Sequence, residues 1–504
     1  MWSLFDRLEH NVKYVFLFTI AHWTANSITS QQLLPGYLYA ITGSNESVGS
    51  VSSIRGLTQL IFALPAGFAA DYLRRDRVLT FAGVLGVITA VLMALAFGMG
   101  DLKLVNVSFG LWGMFAAFQS PAMEALFADS VPVGRRSYPF TLKHMVQNVT
   151  LVVGPLCAIA LFAEYGDEWE LQGVRPLVVF GSLVALISVV GLFQFDDDQA
   201  YENKEYMISV ERQLQSIERN FDAELSMYNP VDIEQASHHL GDDGDEASRL
   251  VSARKSRGAS EMSRLLMAGE PLSRKKTVYL THPINIGTMN EEGDEGNNET
   301  IPVFCGLDPS HVPFVLFAAD FIVSFGTGMA ANSFPVFFDN EFGLTSIEMQ
   351  WLFVGQPLCI AASSFISQVA SRYWGRMPVI VFTRFVGAIN LFLMSQVSSL
   401  HLLCALFLLR AAMISCSEPL RRSLLMDFVP QKQRARWNSL EGLSMFAWVG
   451  SAVIGRLLVE AHGYRVCFFI TSLVYMAGVL LELLLVPLTR HAVEFPTSEP
   501  PMRR

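Results

Sequence analysis

The sequence predicts an all-α membrane protein whose twelve transmembrane helices form two pseudo-symmetric bundles of six. Three observations predict it. Pro121, Leu126, Asp129, Val131, Pro132 and Arg136 recur at the same spacing 298 positions later, as Pro419, Leu424, Asp427, Val429, Pro430 and Arg434. The match contains two prolines, an acid and a base, so it marks an internal duplication; Pro35 with Pro335 and Gly43 with Gly343 echo it at an offset of 300. Hydrophobic residues make up 51% of the chain and charged ones 16%, with a mean hydropathy of +0.36, which is not the balance of a soluble domain. Lastly, basic residues concentrate in alternate connections between the apolar runs, as membrane orientation requires.

The elements follow in order. Residues 1–13 carry Asp6, Arg7, Glu9 and Lys13 and lead into a full-length apolar run, so they read as a cytosolic N-terminus rather than a cleaved signal. Six runs near 14–41, 47–72, 77–99, 104–130, 138–164 and 172–196 build a first bundle, 14–196. Each approaches or exceeds the roughly 20 residues that cross about 30 Å of hydrocarbon, and only a helix satisfies its own backbone there. Residues 197–308 are too polar to span, with acidic clusters at 196–198, 242–246 and 291–295; they read as a cytosolic, largely disordered link. Leu214, Ile217, Phe221 and Leu225 share one helical face at its start. Six further runs near 311–338, 346–370, 377–398, 400–426, 437–461 and 464–488 build a second bundle, 309–488, and 489–504 is a cytosolic tail.

Orientation is set by Arg74, Arg75, Arg77, Arg135, Arg136, Arg372, Arg376, Arg421, Arg422, Lys432, Arg434 and Arg436 on the inner side. The outer connections hold only Lys103, Arg175 and Arg465, with Arg55 and Arg456 inside spans towards that face. The net charge of −10 lies largely in the link and implies no nucleic-acid partner. The six cysteines have no CxxC spacing and read as packing residues, so neither a metal nor any other cofactor is expected. Asn45-Glu46-Ser47 is a glycosylation sequon in the first outer loop. In the link, Arg254-Lys255-Ser256 and Arg274-Lys275-Lys276-Thr277 suit basophilic kinases, and the hexamer 261–266 has the acidic dileucine pattern of sorting adaptors. The plasma membrane or an endolysosomal or vacuolar membrane is the expected location, with the protein a monomer in it.

Twelve spans as six plus six, cytosolic ends and a long cytosolic link together resemble the major facilitator superfamily of secondary transporters, over the whole chain outside the link. Gly67, Asp71 and Arg75 match that family's loop signature after the second span, although Arg74 replaces a glycine and Asp76 a base. In the second half the signature is reduced to Gln368, Arg372, Gly375 and Arg376, without an acid. Physically, Gly67 permits close approach of two helices, and Asp71 at a helix end can pair with basic groups to latch the cytosolic side. Asp129 with Arg136, and Asp427 with Arg434, are expected to do similar work at other inner corners.

The resemblance implies that the first, fourth, seventh and tenth helices line a central cavity. They carry His22, Asn26, Gln31 and Gln32; Gln119 and Glu124; Asp320 and Asn332; Arg410, Ser417 and Glu418. Polar groups within spans are costly and usually functional. Asp320, about nine residues in and so about 14 Å deep, reads as a midplane carboxylate able to carry a proton or to pair with Arg410. Arg410 requires an anion, from the protein or from a substrate. Glu124, Glu418, Arg421 and Arg422 read as inter-helix ion pairs, and Lys143, His144, Gln147 and Asn148 as an inner-mouth or ion-pair surface. Gly154-Pro155 resembles the centre of the antiporter motif, with Thr150 and Ala158 where glycines are expected. The expected function is alternating-access transport of a small organic solute, either facilitative or secondary active, with protons the candidate coupling ion. The alternative is a transport-inactive sensor on the same fold; no HExxH or GxSxG motif supports an enzyme.

Overall fold

The computed structural model describes residues 9–43, 46–166, 169–205, 207–209, 212, 215, 309–331 and 333–489. Asn45, Asn332, the link sequences at 254–256, 261–266 and 274–277, and the apolar face Leu214, Ile217, Phe221 and Leu225 lie outside these residues, and so do the side chains of Gln31 and Gln32. The described residues are all-helical. The first half runs α1 (His10–Asn26), a π-helical turn (Ser27–Gln32), α2 (Leu33–Thr42), α3 (Glu46–Tyr72), α4 (Arg75–Met99), α5 (Leu102–Asp129), α6 (Ser137–Leu151), α7 (Val153–Tyr165) and α8 (Leu171–Val190). The second runs α9 (Val312–Ala331), α10 (Ser333–Phe342), α11 (Ser346–Trp374), α12 (Arg376–Gln396), α13 (Leu400–Ser415), α14 (Glu418–Phe428), α15 (Arg434–Ser439), α16 (Glu441–His462) and α17 (Tyr464–Leu483).

Among the described residues, eight stretches are long and apolar enough to cross a membrane: α4, α6 with α7, α8, α9 with α10, α11, α12, α13 with α14, and α17. Their outward faces carry Phe81, Ile88, Leu95, Phe180, Ile187, Phe382, Leu473 and Leu480, each about half exposed. Apolar exposure on that scale belongs against lipid. The other long stretches, α1 with α2, α3, α5 and α16, are helical too and hold polar residues such as Asn26, Arg55, Gln119 and Arg456.

The two halves of the sequence meet along two seams. In one, α11 packs on α6 and α7; in the other, α11's counterpart in the repeat, α3, packs on α15 and α16, the counterparts of α6 and α7. Gly67 sits in the second seam, where an added β-carbon would fall 2.5 Å from the Ser439 Oγ. The close approach read from the sequence is therefore between halves. Gly67→Leu is expected to wedge α3 from α15. An introduced Ser439→Cys should then react several-fold faster with a soluble thiol reagent, and an unchanged rate would show that the seam absorbs the larger side chain.

Gly154 has a comparable cause. Its amide donates to the Ser27 Oγ at 2.9 Å while that hydroxyl donates to the Leu151 carbonyl at 2.6 Å, tying the π-helical turn to the start of α7. The Gly-Pro pair thus serves helix packing at a widened turn.

Candidate functional site

The basic residues named above gather at one end of the helices, and there two ion-pair clusters repeat the internal symmetry. Asp129, at the end of α5, is fully buried and takes Arg75 from α4 and Arg434 from α15, with the Gln431 amide donating to it at 3.0 Å. Asp427, at the end of α14, takes Arg376 from α12 at 2.7 Å and Arg136 at 3.0 Å. Each acid thus holds one arginine of its own half and one of the other. Arg136 does not pair with Asp129, nor Arg434 with Asp427, as the spacing suggested. The short connection after each acid carries its arginine across to the opposite half, while the Arg136 Nε caps its own helix on the Ala128 carbonyl at 2.9 Å. Arg376, and not Arg372, plays the part of Arg75, because each is the first residue of the next helix.

Asp71 also reaches the other half. Its carboxylate accepts the Ala435 and Arg436 amides at 3.0 and 3.1 Å and the Arg436 Nε at 2.8 Å, at the N-terminal turn of α15, where a helix favours negative charge. Gln368, its neutral counterpart, accepts the Ser137 and Thr141 hydroxyls at 2.6 and 2.9 Å. The acid missing from the second half has been replaced by an amide making the same kind of contact. Beside this layer, burial pushes the Asp197 carboxyl up and the nearby Arg75 pulls it back.

Deeper in lies a continuous chain of charge. Glu482 pairs with Arg384 at 2.6 Å, Arg384 with Asp320 at 3.0 Å, Asp320 with Arg421 at 3.2 Å, and Arg421 with Glu418 at 2.5 Å. It continues from Glu418 to Arg422 at 2.9 Å, from Arg422 to Glu124 at 3.4 Å, and ends at Lys143 on Glu124. Among the described residues, four acids meet four bases in this chain, and only its Arg422–Glu124 contact joins the halves. On either side of it the charges balance: Glu124 with Lys143, and three acids with three arginines. Separating the halves there would strand no charge. Sequence reading anticipated the ion pairs of Glu124, Glu418, Arg421 and Arg422 but missed Arg384 and Glu482, which sit on spans not expected to line a cavity. The signal was present in Thr-Arg-Phe-Val and Leu-Glu-Leu-Leu, single charges inside apolar runs.

Asp320 does not pair with Arg410. It stands eight residues from the start of the 31-residue α9–α10 stretch, in the third nearest the basic end, level with Arg421, which is seven residues from the end of α14. Arg410 is 18 residues from that end, so about 15 Å further along at about 1.5 Å per residue. It lies over the Phe334 ring at 4.4 Å and donates to the Tyr475 hydroxyl at 3.4 Å. In the first half, the His22 ring stacks on Phe18 and Trp112 with centroids at 4.8 and 5.7 Å. Among the described residues, the His22 Nδ1, Asn26 Oδ1 and Ser417 Oγ are buried without a hydrogen-bond partner, and the Gln119 amide reaches only the Met123 sulfur at 3.3 Å. A cavity of about 20 Å³ beside Asp320, lined also by Arg421, Asn438 and Ser444, has room for about one water.

This arrangement of helices is widely shared. The human organic anion transporter MFSD10 (TETRAN) superposes with a TM-score of 0.62 at 14% identity, over 94% of this chain and 99% of that one. The proton:xylose symporter XylE gives 0.60 at 13% identity over 96% and 97%. The Escherichia coli fucose:proton symporter FucP gives 0.59 at 11% over 93% and 96%. In sequence, a Na(+), Li(+), K(+)/H(+) antiporter of Planococcus maritimus is 33% identical over 120 residues, which is 23% of this chain and only 28% of the antiporter's length. Residues 15–224 and 316–503, both halves of the duplication, match the Major Facilitator Superfamily, and this integral membrane protein belongs to that family.

Proposed function

We propose that the chain is a secondary transporter of a small organic solute, built of twelve spans in two six-helix bundles, 14–196 and 309–488, that rock about a central site. The observation that carries the reading is the pairing at the basic end, which we take as cytosolic. Asp129, Asp427 and Asp71 each bond across the halves there, contacts that would hold that end shut while solute enters from the opposite end. Gly67, Asp71, Arg75, Asp129, Arg136, Asp427 and Arg434 would act as the cytosolic gate. His22, Asn26, Gln119 and Ser417, with Gln31, Gln32 and Asn332, would line the cavity. The charge balance within each half favours such movement, because opening the gate breaks the Arg422–Glu124 contact without leaving either group alone. A carrier of this family agrees with the solute and proton transport named for its neighbours.

Coupling to protons is proposed at Asp320. Protonation would release Arg384 and Arg421 from it, yet Arg384 would keep Glu482 and Arg421 would keep Glu418. Neutralising this one acid cuts the chain at its middle and strands no base. Asp320→Asn mimics the protonated state, so gradient-driven accumulation should be lost while solute exchange persists. A solute screen in proteoliposomes, with and without a pH gradient, tests the whole reading. Wild-type protein that moves no solute from a broad panel would overturn transport; Asp320→Asn that accumulates solute normally would overturn the coupling site.

A further inference from the structure

Seven arginines are buried among the described residues: Arg75, Arg136, Arg376, Arg384, Arg410, Arg421 and Arg434. Six have a carboxylate within 4.0 Å. Arg410 has none. It is 5% exposed, and a guanidinium does not lose its charge in a protein, so an uncompensated cation stands near the middle of the α13–α14 stretch. A buried charge left alone is costly enough that it is kept only where something pairs with it during function.

Its surroundings show what that partner must be. One face of the guanidinium lies on Phe334 and its side on Phe407, at 4.4 and 5.7 Å, contacts that orient the plane without neutralising it. Nη1 donates to the Tyr475 hydroxyl at 3.4 Å. That hydroxyl is itself held 3.0 Å from Thr327 Oγ1, whose proton goes to the Val323 carbonyl at 2.8 Å, so Tyr475 donates to Thr327 and accepts from Arg410. The Nε has no acceptor. The fork is therefore fixed on one side by a tyrosine and on one face by an aromatic ring, with its Nε buried and without an acceptor, a donor that a planar carboxylate satisfies. The repeat adds a second point. At the offset of 298, the counterpart of Arg410 is Trp112, so a cation at this position belongs to one half only and gives the site a polarity.

We propose that Arg410 is the anchor for a small organic carboxylate with an apolar body, the anionic class of solute that this transporter carries. The proposal rests on the transport reading for the word solute, but the binding itself does not. The fork takes the carboxylate at its Nε edge, and the Phe334 and Phe407 rings exclude water from that pair. A neutral amide of the same shape satisfies neither the charge nor the bidentate bond.

The test uses the purified full chain and its thermal unfolding midpoint in the presence of benzoate, phenylacetate or hexanoate, with benzamide and benzylamine as neutral and cationic controls. At least one carboxylate should raise the midpoint saturably while both controls do not. Arg410→Lys should weaken that carboxylate by about tenfold, since charge remains but the planar fork is lost. Arg410→Gln should abolish the effect while leaving the midpoint without ligand equal to wild type or higher, because it removes an uncompensated charge. No saturable rise with any carboxylate, or an equal rise with benzamide, overturns the proposal. So does an Arg410→Gln midpoint far below wild type with Arg410→Lys unaffected in both stability and binding, which would make the residue a structural cation. Saturable carboxylate binding by a protein that transports nothing would sink the transport reading and keep this site; uptake confined to neutral solutes would do the reverse.

Discussion

Arg384→Met is expected to remove most of the folded protein from detergent extracts. Arg384 is 2% exposed and is the sole base within 4.0 Å of Glu482 among the described residues, and Glu482 is fully buried. The substitution leaves that buried carboxyl without its base, whereas Asp320 keeps Arg421 and Glu418 keeps two arginines. Breaking a buried pair by removing one member costs about 3–5 kcal/mol, a large part of the roughly 5–15 kcal/mol that holds a domain together. Replacing both members by apolar groups of similar volume is often nearly neutral. The double variant Arg384→Met with Glu482→Met should therefore recover a monodisperse protein, with a midpoint close to wild type. Size-exclusion profiles of the two variants decide it. A single variant as well behaved as wild type, or a double variant no better than the single, would show that the charge chain does not stabilise the second half.

How much of this could be read in the chain depends on what periodicity and repeats can carry. The duplication exposed Asp129, Arg136, Asp427 and Arg434 before any coordinates, because two prolines, an acid and a base do not recur by chance at one spacing. It could not say that the arginines exchange partners, since a repeat relates each half to the other's copy and is silent on which copy is touched. Asp71 at the end of α3 was legible as a partner for basic groups, and the structure puts α15, from the other half, against it. Gln368 was legible only as the second half's signature without its acid; that its amide oxygen accepts two hydroxyls from the other half depends on packing. Asp320 and Arg410 were placed near one level because their depths were counted from opposite faces. The helices are longer than the membrane is thick, at 31 and 29 residues for the α9–α10 and α13–α14 stretches, so counting from opposite ends misjudged their separation by about 15 Å at about 1.5 Å per residue. Arg384 and Glu482 were visible as charges in spans but not as partners, because which helix face meets which is decided by packing.

Asp129→Asn is expected to open the basic end. The carboxylate sits between Arg75 and Arg434, one from each half, and its loss brings two guanidinium groups together with no charge between them. The remaining amide can accept a hydrogen bond but cannot offset that repulsion, so the two halves should part where they are now tied. With about 3–5 kcal/mol for a broken buried pair and about 1.4 kcal/mol per decade, the open population should rise by a hundredfold or more. Asp71→Asn should do much less. Its amide oxygen can still accept one of the two α15 amides, so the losses are one backbone hydrogen bond, about 0.5–1.5 kcal/mol, and the pair with the part-exposed Arg436, about 0–1 kcal/mol, together at most tens-fold in population. A cysteine introduced as Ser444→Cys beside the small Asp320 cavity reports the difference, since it becomes reachable from the basic side when the halves separate. In inside-out vesicles its labelling should accelerate strongly with Asp129→Asn and modestly with Asp71→Asn, and uptake should fall in the same order. Equal rates in the two variants would mean that the helix-end contact of Asp71, not the buried arginine pair, holds the halves together. No acceleration in either would place the hold along the seam between α6, α7 and α11, where Gln368 makes its two neutral bonds.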